Sequence, residues 1–205
     1  MSSIMRKDFY FFRHGQTDLN VRGVWQGCSS DVLLNATGIK QAEELAKKVS
    51  SLQLTDLCSS PLVRAVQTAN KIVGKDCNML PILVYQDLHE CQFGDAEGLT
   101  FAESEARYGK DFVNNILFPT MKTWNLHFPN GESKCEVFHR VMDCLSLIIK
   151  EKSSDEHNRI GVVCHAGVIN ALQCGLDLKN VSYENCSILH LAYDTLTEEW
   201  TQVFD

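Results

Sequence analysis

Short apolar runs alternate along this chain with stretches whose apolar residues recur at helical spacing. Four successive aromatic residues, 9–12, end abruptly in Arg13-His14-Gly15, which predicts a short buried strand followed by a turn. Further short apolar runs predict strands over 52–58, 83–88, 160–164, 188–192 and 200–204. Amphipathic spacing and helix-start signals predict helices over 39–52, 59–73, 101–117, 136–152 and 168–176. This alternation predicts an α/β fold, a three-layer sandwich in which helices flank a mostly parallel central sheet.

Two strand ends share one pattern, in which an apolar run gives way to a histidine and a small residue. FYFF ends in Arg13-His14-Gly15, and GVVC ends in His165-Ala166-Gly167. The carboxyl ends of parallel strands meet at one edge of a sheet, where ligands bind in open α/β folds. The pattern therefore predicts that His14 and His165 share a site.

Two charged residues are further candidates for this site. Arg64 falls in the first turn of a helix predicted to begin at Ser59-Ser60-Pro61, where the backbone N–H groups and the helix dipole favour an anion. Glu90 follows a predicted strand end and precedes a glycine-containing loop. A solvated helix face for Arg64 and a surface carboxylate for Glu90 remain open alternatives.

Composition narrows the possible partners. The chain has 205 residues, 44% hydrophobic and 22% charged, which is typical of one globular domain. A net charge of −7 argues against nucleic acid or an anionic membrane as a partner, so an anionic ligand needs a local positive pocket. Nine cysteines without a C-x-x-C pair argue against a disulfide framework or structural zinc and favour a reduced, cytoplasmic setting. We predict neither a signal peptide nor a transmembrane segment.

Two rival chemistries fit parts of the pattern. Two histidines and a glutamate are possible zinc ligands, but the adjacent Arg13 opposes a metal cation and favours an anion. Cys58 and Arg64 have the C-x5-R spacing of cysteine-dependent phosphatases. That chemistry requires a loop of backbone N–H groups around the phosphate, and Pro61 has none to offer, so this alternative is disfavoured.

Together these motifs resemble the histidine phosphatase superfamily, also called phosphoglycerate mutase-like. The resemblance covers nearly the whole chain in the family's order. It rests on RHGQTDLN at 13–20, Gln26-Gly27, SSPLVRAVQTA at 59–69, LHECQFGDAEGLT at 88–100, PNGES at 129–133 and VVCHAGVINAL at 162–172.

The resemblance implies a role for each candidate residue. His14 is the expected nucleophile, which carries a phosphohistidine, and Glu90 is expected to give a proton to the leaving oxygen and then take one from water. Arg13, Arg64 and His165 are expected to clamp the phosphoryl oxygens. The expected remainder of the phosphate pocket is Asn20, Gln26, Gly27 and Ala166. Neither a metal nor an organic cofactor is expected.

The leading functional hypothesis is a phosphomonoester hydrolase acting on a small phosphorylated metabolite. The alternatives are a phosphoglycerate mutase-type isomerase, which uses the same residues, and a non-catalytic binder of a phosphorylated partner. The stretch between Glu90 and His165 is short, and over 101–134 its aromatic residues outnumber its lysines, which favours hydrolysis over isomerisation. We expect a single domain over 1–205, with a small cap insertion at about 95–135, and a possible homodimer.

Overall fold

A six-stranded sheet forms the middle layer of the protein. The structure, a computed structural model, describes residues 6–74, 80–152, 158–179 and 181–204. The strands are β1 (Arg6–Arg13), β2 (Asp56–Ser59), β3 (Ile82–Val84), β4 (Asn158–Cys164), β5 (Ile188–Asp194) and β6 (Glu199–Gln202). Their order is β3-β2-β4-β1-β5-β6. The first four in this order are parallel, and β5 and β6 add an antiparallel hairpin. The predicted mostly parallel α/β fold is confirmed.

Helices cover both faces of this sheet. They are α1 (Asp18–Val21), α2 (Ala36–Val49), α3 (Val63–Ile72), α4 (Phe101–Tyr108), α5 (Lys110–Leu117), α6 (Lys134–Glu151) and α7 (Ala166–Gly175). Single 3-10 turns lie at Ser50–Leu52, Gln86–Leu88 and Gly94–Ala96. Within the described residues, no helix has both the length and the apolar character needed to cross a membrane.

The aromatic run of β1 explains the two helical layers. Phe9 and Phe11 point to one face, where they join a core with residues of α6 and α7. Tyr10 and Phe12 point to the opposite face and pack with residues of α2 and α3. Because helices cover the sheet on both sides, both faces of β1 are buried, and a continuous apolar run is what such a strand requires.

The pairing of β1 with β4 brings the two histidine-bearing strand ends together. The strands are parallel, and Arg13 stands opposite Cys164. One residue further on, the His14 backbone N–H donates to the Cys164 carbonyl at 3.0 Å. The predicted convergence of His14 and His165 at one sheet edge is therefore confirmed.

The predicted start of α3 was two to four residues too early. Ser59 is still in β2, and the Ser60 N–H donates to the Val163 carbonyl at 2.9 Å, so both serines continue the sheet pairing. The helix begins at Val63, and its N-cap residue, Leu62, makes no side-chain capping hydrogen bond. Ser60 instead contributes to the site described below.

The prediction of one helix over 101–117 was wrong. Residues 101–108 and 110–117 form two helices that break at Gly109, whose φ of 93° and ψ of 141° lie outside the helical region. This conformation is accessible almost only to glycine. The first helix also has its own start signal, a capping box between Thr100 and Glu103.

Replacing Gly109 should change the free energy of unfolding in opposite directions for two helices and for one continuous helix. Gly109→Ala should lower the free energy of unfolding by about 1–3 kcal/mol, because alanine at this φ and ψ is strained. In one continuous helix, the same change would stabilise the protein by about 1 kcal/mol. Urea unfolding at equal m-value measures the difference. A rise in the midpoint would contradict the two-helix description.

Candidate active site

A cavity of about 520 Å³, which includes space open to solvent, lies at the carboxyl ends of β1 and β4. One part of its wall consists of polar residues and two small residues at the start of α7. They are Arg13, His14, Asn20, Gln26, Glu90, Lys134, Ala166, Gly167 and Asn170. The other part is apolar: Val24, Trp25, Phe93, Phe101, Ile116 and Leu117. The cavity therefore combines a charged end with an apolar end.

His14 is buried at the charged end and is held as one tautomer. Its Nδ1 lies 2.7 Å from the Gly15 carbonyl oxygen, which can only accept, so Nδ1 carries the hydrogen and Nε2 keeps its lone pair. Burial first, and then the charges of Arg64 and Arg13, hold the pKa of His14 well below 6.5. His14 is therefore a neutral imidazole with a free nucleophilic nitrogen at neutral pH.

The turn after His14 is fixed by close packing. The Gly15 N–H donates to Thr68 Oγ1 at 3.0 Å, and the Thr68 hydroxyl donates to the Arg64 carbonyl at 2.8 Å. A β-carbon on Gly15 would lie 2.5 Å from the Gly38 carbonyl oxygen, so only glycine fits here. These contacts tie the nucleophile to α2 and α3.

Arg64 lies beside this turn and is 0% exposed, so the alternative of a solvated helix face is wrong. Its Nη1 donates to the Ser30 carbonyl at 2.8 Å, and its Nη2 donates to the Gly27 carbonyl at 3.1 Å. Gly27 in turn lies against the Glu97 carboxylate, which accepts a hydrogen bond from Ser29. The loop over 27–30 therefore holds the guanidinium through backbone oxygens.

Arg13 lines the charged end, whereas His165 and Arg64 neighbour His14 but are not among the residues that line the cavity. Arg13 Nη1 donates to the Tyr183 carbonyl at 2.6 Å. The His165 ring centre lies 5.2 Å from that of His14, and its Nε2 is 2.7 Å from Ser60 Oγ. Burial, followed by the charge of Arg64, lowers the pKa of His165 well below 6.5, so this ring is also neutral.

Three buried nitrogens of these residues have no hydrogen-bond partner within the described part of the chain: Arg13 Nε, Arg64 Nε and His165 Nδ1. Each guanidinium Nε always carries a hydrogen. In the tautomer in which the Ser60 hydroxyl donates to His165 Nε2, the hydrogen of that ring lies on Nδ1. Buried polar atoms without partners are rare in native proteins, and these three belong to residues that neighbour His14, which favours a site for an acceptor-rich ligand such as a phosphoryl group.

Glu90 is 5% exposed, so the alternative of a surface carboxylate is also wrong. Its Oε1 accepts from the Cys91 N–H at 2.7 Å, and its Oε2 accepts from the Gly167 N–H at 3.1 Å. The second donor belongs to the first turn of α7, where the helix dipole favours an anion. A β-carbon on Gly167 would collide with Glu90 Oε1, so the carboxylate is packed against bare backbone.

The remaining predicted residues take two kinds of position. Asn20 and Gln26 line the cavity, and each has its side-chain oxygen engaged by Thr17. Ala166 also lines the cavity, as the first residue of α7. Gly27 does not line the cavity. Its carbonyl instead accepts a hydrogen bond from Arg64 Nη2.

Several residues that hold the site carry weak sequence signals. Ser60 and Thr68 lie within the recognised motif around Arg64, but their contacts with His165 and Gly15 follow only from the fold. The stretch Asn185-Cys186-Ser187 also belongs to the family resemblance, and Asn185 donates to the His14 carbonyl at 3.0 Å from a distant loop. Lys134 lines the cavity one residue after PNGES, and nothing in the chain's pattern marked it as buried.

The two rival chemistries fit the geometry poorly. Cys58 lies in the core at 0% exposure, and burial raises the pKa of its thiol to about 12, so it is not a thiolate nucleophile. Within the described ranges, no cluster of three or more His, Cys, Asp or Glu side chains is arranged to hold a metal ion.

Comparison with known proteins agrees with this geometry. A family model described as "Histidine phosphatase superfamily (branch 1)" matches residues 9–205. The chain belongs to this superfamily. The predicted family is therefore confirmed, and both His14 and His165 lie inside the matched region.

Individual members of the histidine phosphatase superfamily resemble the chain along most of its length. "Uncharacterized phosphatase PhoE" of Bacillus subtilis (strain 168) is 34% identical over 160 residues, which cover 78% of this chain and 72% of that protein. "Probable phosphoglycerate mutase GpmB" of Proteus mirabilis (strain HI4320) is 30% identical over 193 residues, or 90% and 84% of the two chains. The native structure of mycobacterial glucosyl-3-phosphoglycerate phosphatase superposes with a TM-score of 0.81 at 26% identity, covering 96% and 97%.

The two neutral imidazoles of this histidine phosphatase predict how its stability depends on pH. The native pKa values of His14 and His165 lie below that of an unfolded histidine, so the unfolded chain binds more protons as the pH falls below about 6.5. Stability is therefore full above that pH and is lost below it, by up to about 1.4 kcal/mol per pH unit for each histidine. Urea unfolding between about pH 7 and about pH 5 measures this slope.

Two variants test whether the pH dependence of stability comes from the buried histidines. His165→Gln removes one of the two groups and should make the dependence shallower, whereas His139→Gln, which replaces an exposed imidazole on α6, should leave it unchanged. An equal slope in wild type and His165→Gln would contradict a neutral His165 in the native state.

Proposed function

We propose that this protein is a phosphomonoester hydrolase that acts on a small phosphorylated metabolite through a phosphohistidine at His14. The observation that carries the proposal is a neutral, tautomer-fixed imidazole beside Arg13 and Arg64, whose Nε donors have no hydrogen-bond partner among the described residues. A phosphoryl group supplies acceptor oxygens for these cations and an electrophile for the imidazole. Relatives named as phosphatases support hydrolysis as the reaction.

The first step transfers the phosphoryl group to the enzyme. His14 Nε2 donates its lone pair to phosphorus while the bond from phosphorus to the ester oxygen breaks. Glu90 enters this step protonated and delivers that proton to the ester oxygen, so the alcohol leaves neutral and Glu90 becomes a carboxylate. Arg13, Arg64 and His165 donate to the phosphoryl oxygens, where charge concentrates in the transition state, and they need no reorganisation because the fold already holds them.

The second step returns the enzyme to its starting state. A water molecule attacks the phosphorus of phosphohistidine, Glu90 takes one of its protons, and the bond from phosphorus to His14 Nε2 breaks. Inorganic phosphate leaves, and the imidazole regains its lone pair. The same donors act in both steps because the phosphoryl oxygens keep their place while the apical groups exchange.

The stretch over about 95–135 serves, in this proposal, as a cap that supplies the apolar end of the cavity. Phe101 lies at the start of α4, and Ile116 and Leu117 lie at the end of α5. Apart from Arg13, the described cavity wall contains one further cation, Lys134. A phosphoglycerate mutase must hold a bisphosphate and exclude water, which calls for more positive charge. A cytoplasmic location and a homodimer remain predictions.

The phosphoenzyme gives a direct test of the nucleophile. Wild type mixed with an aryl phosphate and quenched in alkali should carry one phosphoryl group on the peptide that contains His14, because phosphohistidine survives base. His14→Ala should lose both this label and turnover, since no other group can take its place. Mass spectrometry of the quenched digest locates the label.

His139→Gln serves as the matched control, because it removes an exposed histidine distant from the nucleophile in the chain. It should be labelled as wild type is. A phosphoryl group on Cys58 or on any residue other than His14 would contradict the proposed mechanism.

A second test separates hydrolysis from isomerisation. With 3-phosphoglycerate and a trace of 2,3-bisphosphoglycerate, we expect little 2-phosphoglycerate, whereas an aryl phosphate should give steady release of inorganic phosphate. Both reactions pass through one phosphohistidine, so the outcome depends on whether water or a second hydroxyl reaches it. Assays in excess chelator should proceed at the same rate. Rapid interconversion of the phosphoglycerates with slow phosphate release would favour the mutase.

A further inference from the structure

Lys134 is a buried cation on the wall of the cavity that holds His14. It is the first residue of α6 and is 3% exposed, although lysine is almost never buried without an ionic partner. No role in the proposed phosphoryl transfer requires it. The position of this charge therefore needs its own explanation.

The protein does little to stabilise the charge of Lys134. The amino terminus of a helix carries partial positive charge, which disfavours a cation there. Among the described residues, no carboxylate lies within ion-pair distance of Nζ. The two acidic residues closest to it in sequence are engaged elsewhere, since Glu132 pairs with Arg140 and Glu136 forms the capping box with Ser133.

The groups that do contact the ammonium are neutral. Nζ lies 4.7 Å from the centre of the Phe93 ring, which also lines the cavity. Cys91 also approaches it, but burial raises the pKa of that thiol to about 12 in spite of the nearby cation. The Glu90 carboxylate lines the same cavity, but its two oxygens accept from the N–H groups of Cys91 and Gly167. Among the described residues the ammonium therefore contacts no anionic side chain, so an anion that enters the cavity gains a direct pairing that the empty protein does not make.

The surface around Lys134 limits the kind of anion. Phe93 joins Trp25 in an aromatic pair, and Phe101, Ile116 and Leu117 complete an apolar wall. The ligand that fits therefore carries apolar surface in addition to a phosphoryl group and a second charge. A second phosphoryl group carries about two negative charges, whereas one lysine neutralises a single charge. A carboxylate matches this lysine better.

We propose that Lys134 binds a carboxylate on the leaving group, so that the preferred substrates are phosphomonoesters of hydroxylated carboxylic acids with an apolar spacer. The inference rests on the proposed function, since it assumes that the phosphoryl group occupies the end of the cavity at His14. Lys134 is then a specificity-determining residue that contacts the part of the substrate that leaves.

The test compares two aryl esters that differ in charge and hardly in shape, 4-carboxyphenyl phosphate and 4-carbamoylphenyl phosphate. Wild type should prefer the carboxylate in kcat/KM. Lys134→Met keeps the volume and removes the charge, and it should lower the ratio of the two kcat/KM values by on the order of 10- to 100-fold, mostly through KM. Lys134→Gln provides a second neutral variant if the first folds poorly.

Lys110→Met is the matched control. Lys110 is also the first residue of a helix, α5, but it is exposed and lies outside the cavity wall. Its replacement should leave the ratio as in wild type. An unchanged ratio in Lys134→Met, or an equal loss for both esters, would overturn the proposal and give Lys134 a structural role or an effect on Glu90.

Binding of the corresponding phosphonates separates this inference from the proposed hydrolysis. Titration calorimetry with 4-carboxyphenylphosphonate and 4-carbamoylphenylphosphonate needs no turnover. A carboxylate preference that Lys134→Met abolishes, in a protein that hydrolyses neither ester, would support Lys134 and refute the hydrolase. Hydrolysis of both esters without a carboxylate preference would do the reverse. Failure of both phosphonates to bind would overturn the inference.

Discussion

The parallel pairing of β1 with β4 is the constraint on which the rest of the site depends. Its register sets Arg13 opposite Cys164 and places the two imidazoles with their ring centres 5.2 Å apart. Side chains alternate between the faces of a sheet, so a shift of one residue would reverse every aromatic residue of β1 and would separate the histidines. The two core clusters, which take alternate residues of β1, therefore hold the chemistry in place as well as the fold.

This arrangement has a free-energy cost, because it removes cations from water. Arg64 is fully buried, no described carboxylate lies within ion-pair distance of it, and backbone carbonyls of the loop over 27–30 accept two of its hydrogens. Carbonyl oxygens stabilise the guanidinium without neutralising it, so its charge remains available to a ligand. Burial, and then the charge of Arg64, keeps the His14 imidazole neutral. In the proposed mechanism, one buried arginine thus serves both phosphoryl binding and the protonation state of His14.

The sequence predicted the features that depend on the type of residue. It did not predict the contacts that are made by backbone groups. Buried strands, the two histidine-bearing strand ends and the glycine-rich turns follow from apolar runs and local motifs. The partners of Arg13 and Arg64 are carbonyl groups, which every residue has, so no pattern could identify them. The break at Gly109 was missed because an isolated glycine also occurs inside helices. Lys134 was missed because the helix was expected to begin at Glu136, which left the lysine in a loop.

The small residues that follow the two histidines look alike in sequence but have different physical causes. Gly15 is required by the backbone, since a side chain there would meet the Gly38 carbonyl and push the nucleophile's turn away from α2. Gly167 is required by the Glu90 side chain. The Gly167 N–H donates to the Glu90 carboxylate, and that carboxylate lies where a β-carbon on Gly167 would collide with it. The first glycine therefore fixes the position of His14 and the second that of Glu90, the nucleophile and the proton donor in the proposed mechanism. A histidine followed closely by glycine at a strand end indicates a site, but the packing around each glycine decides which part of the chemistry it serves.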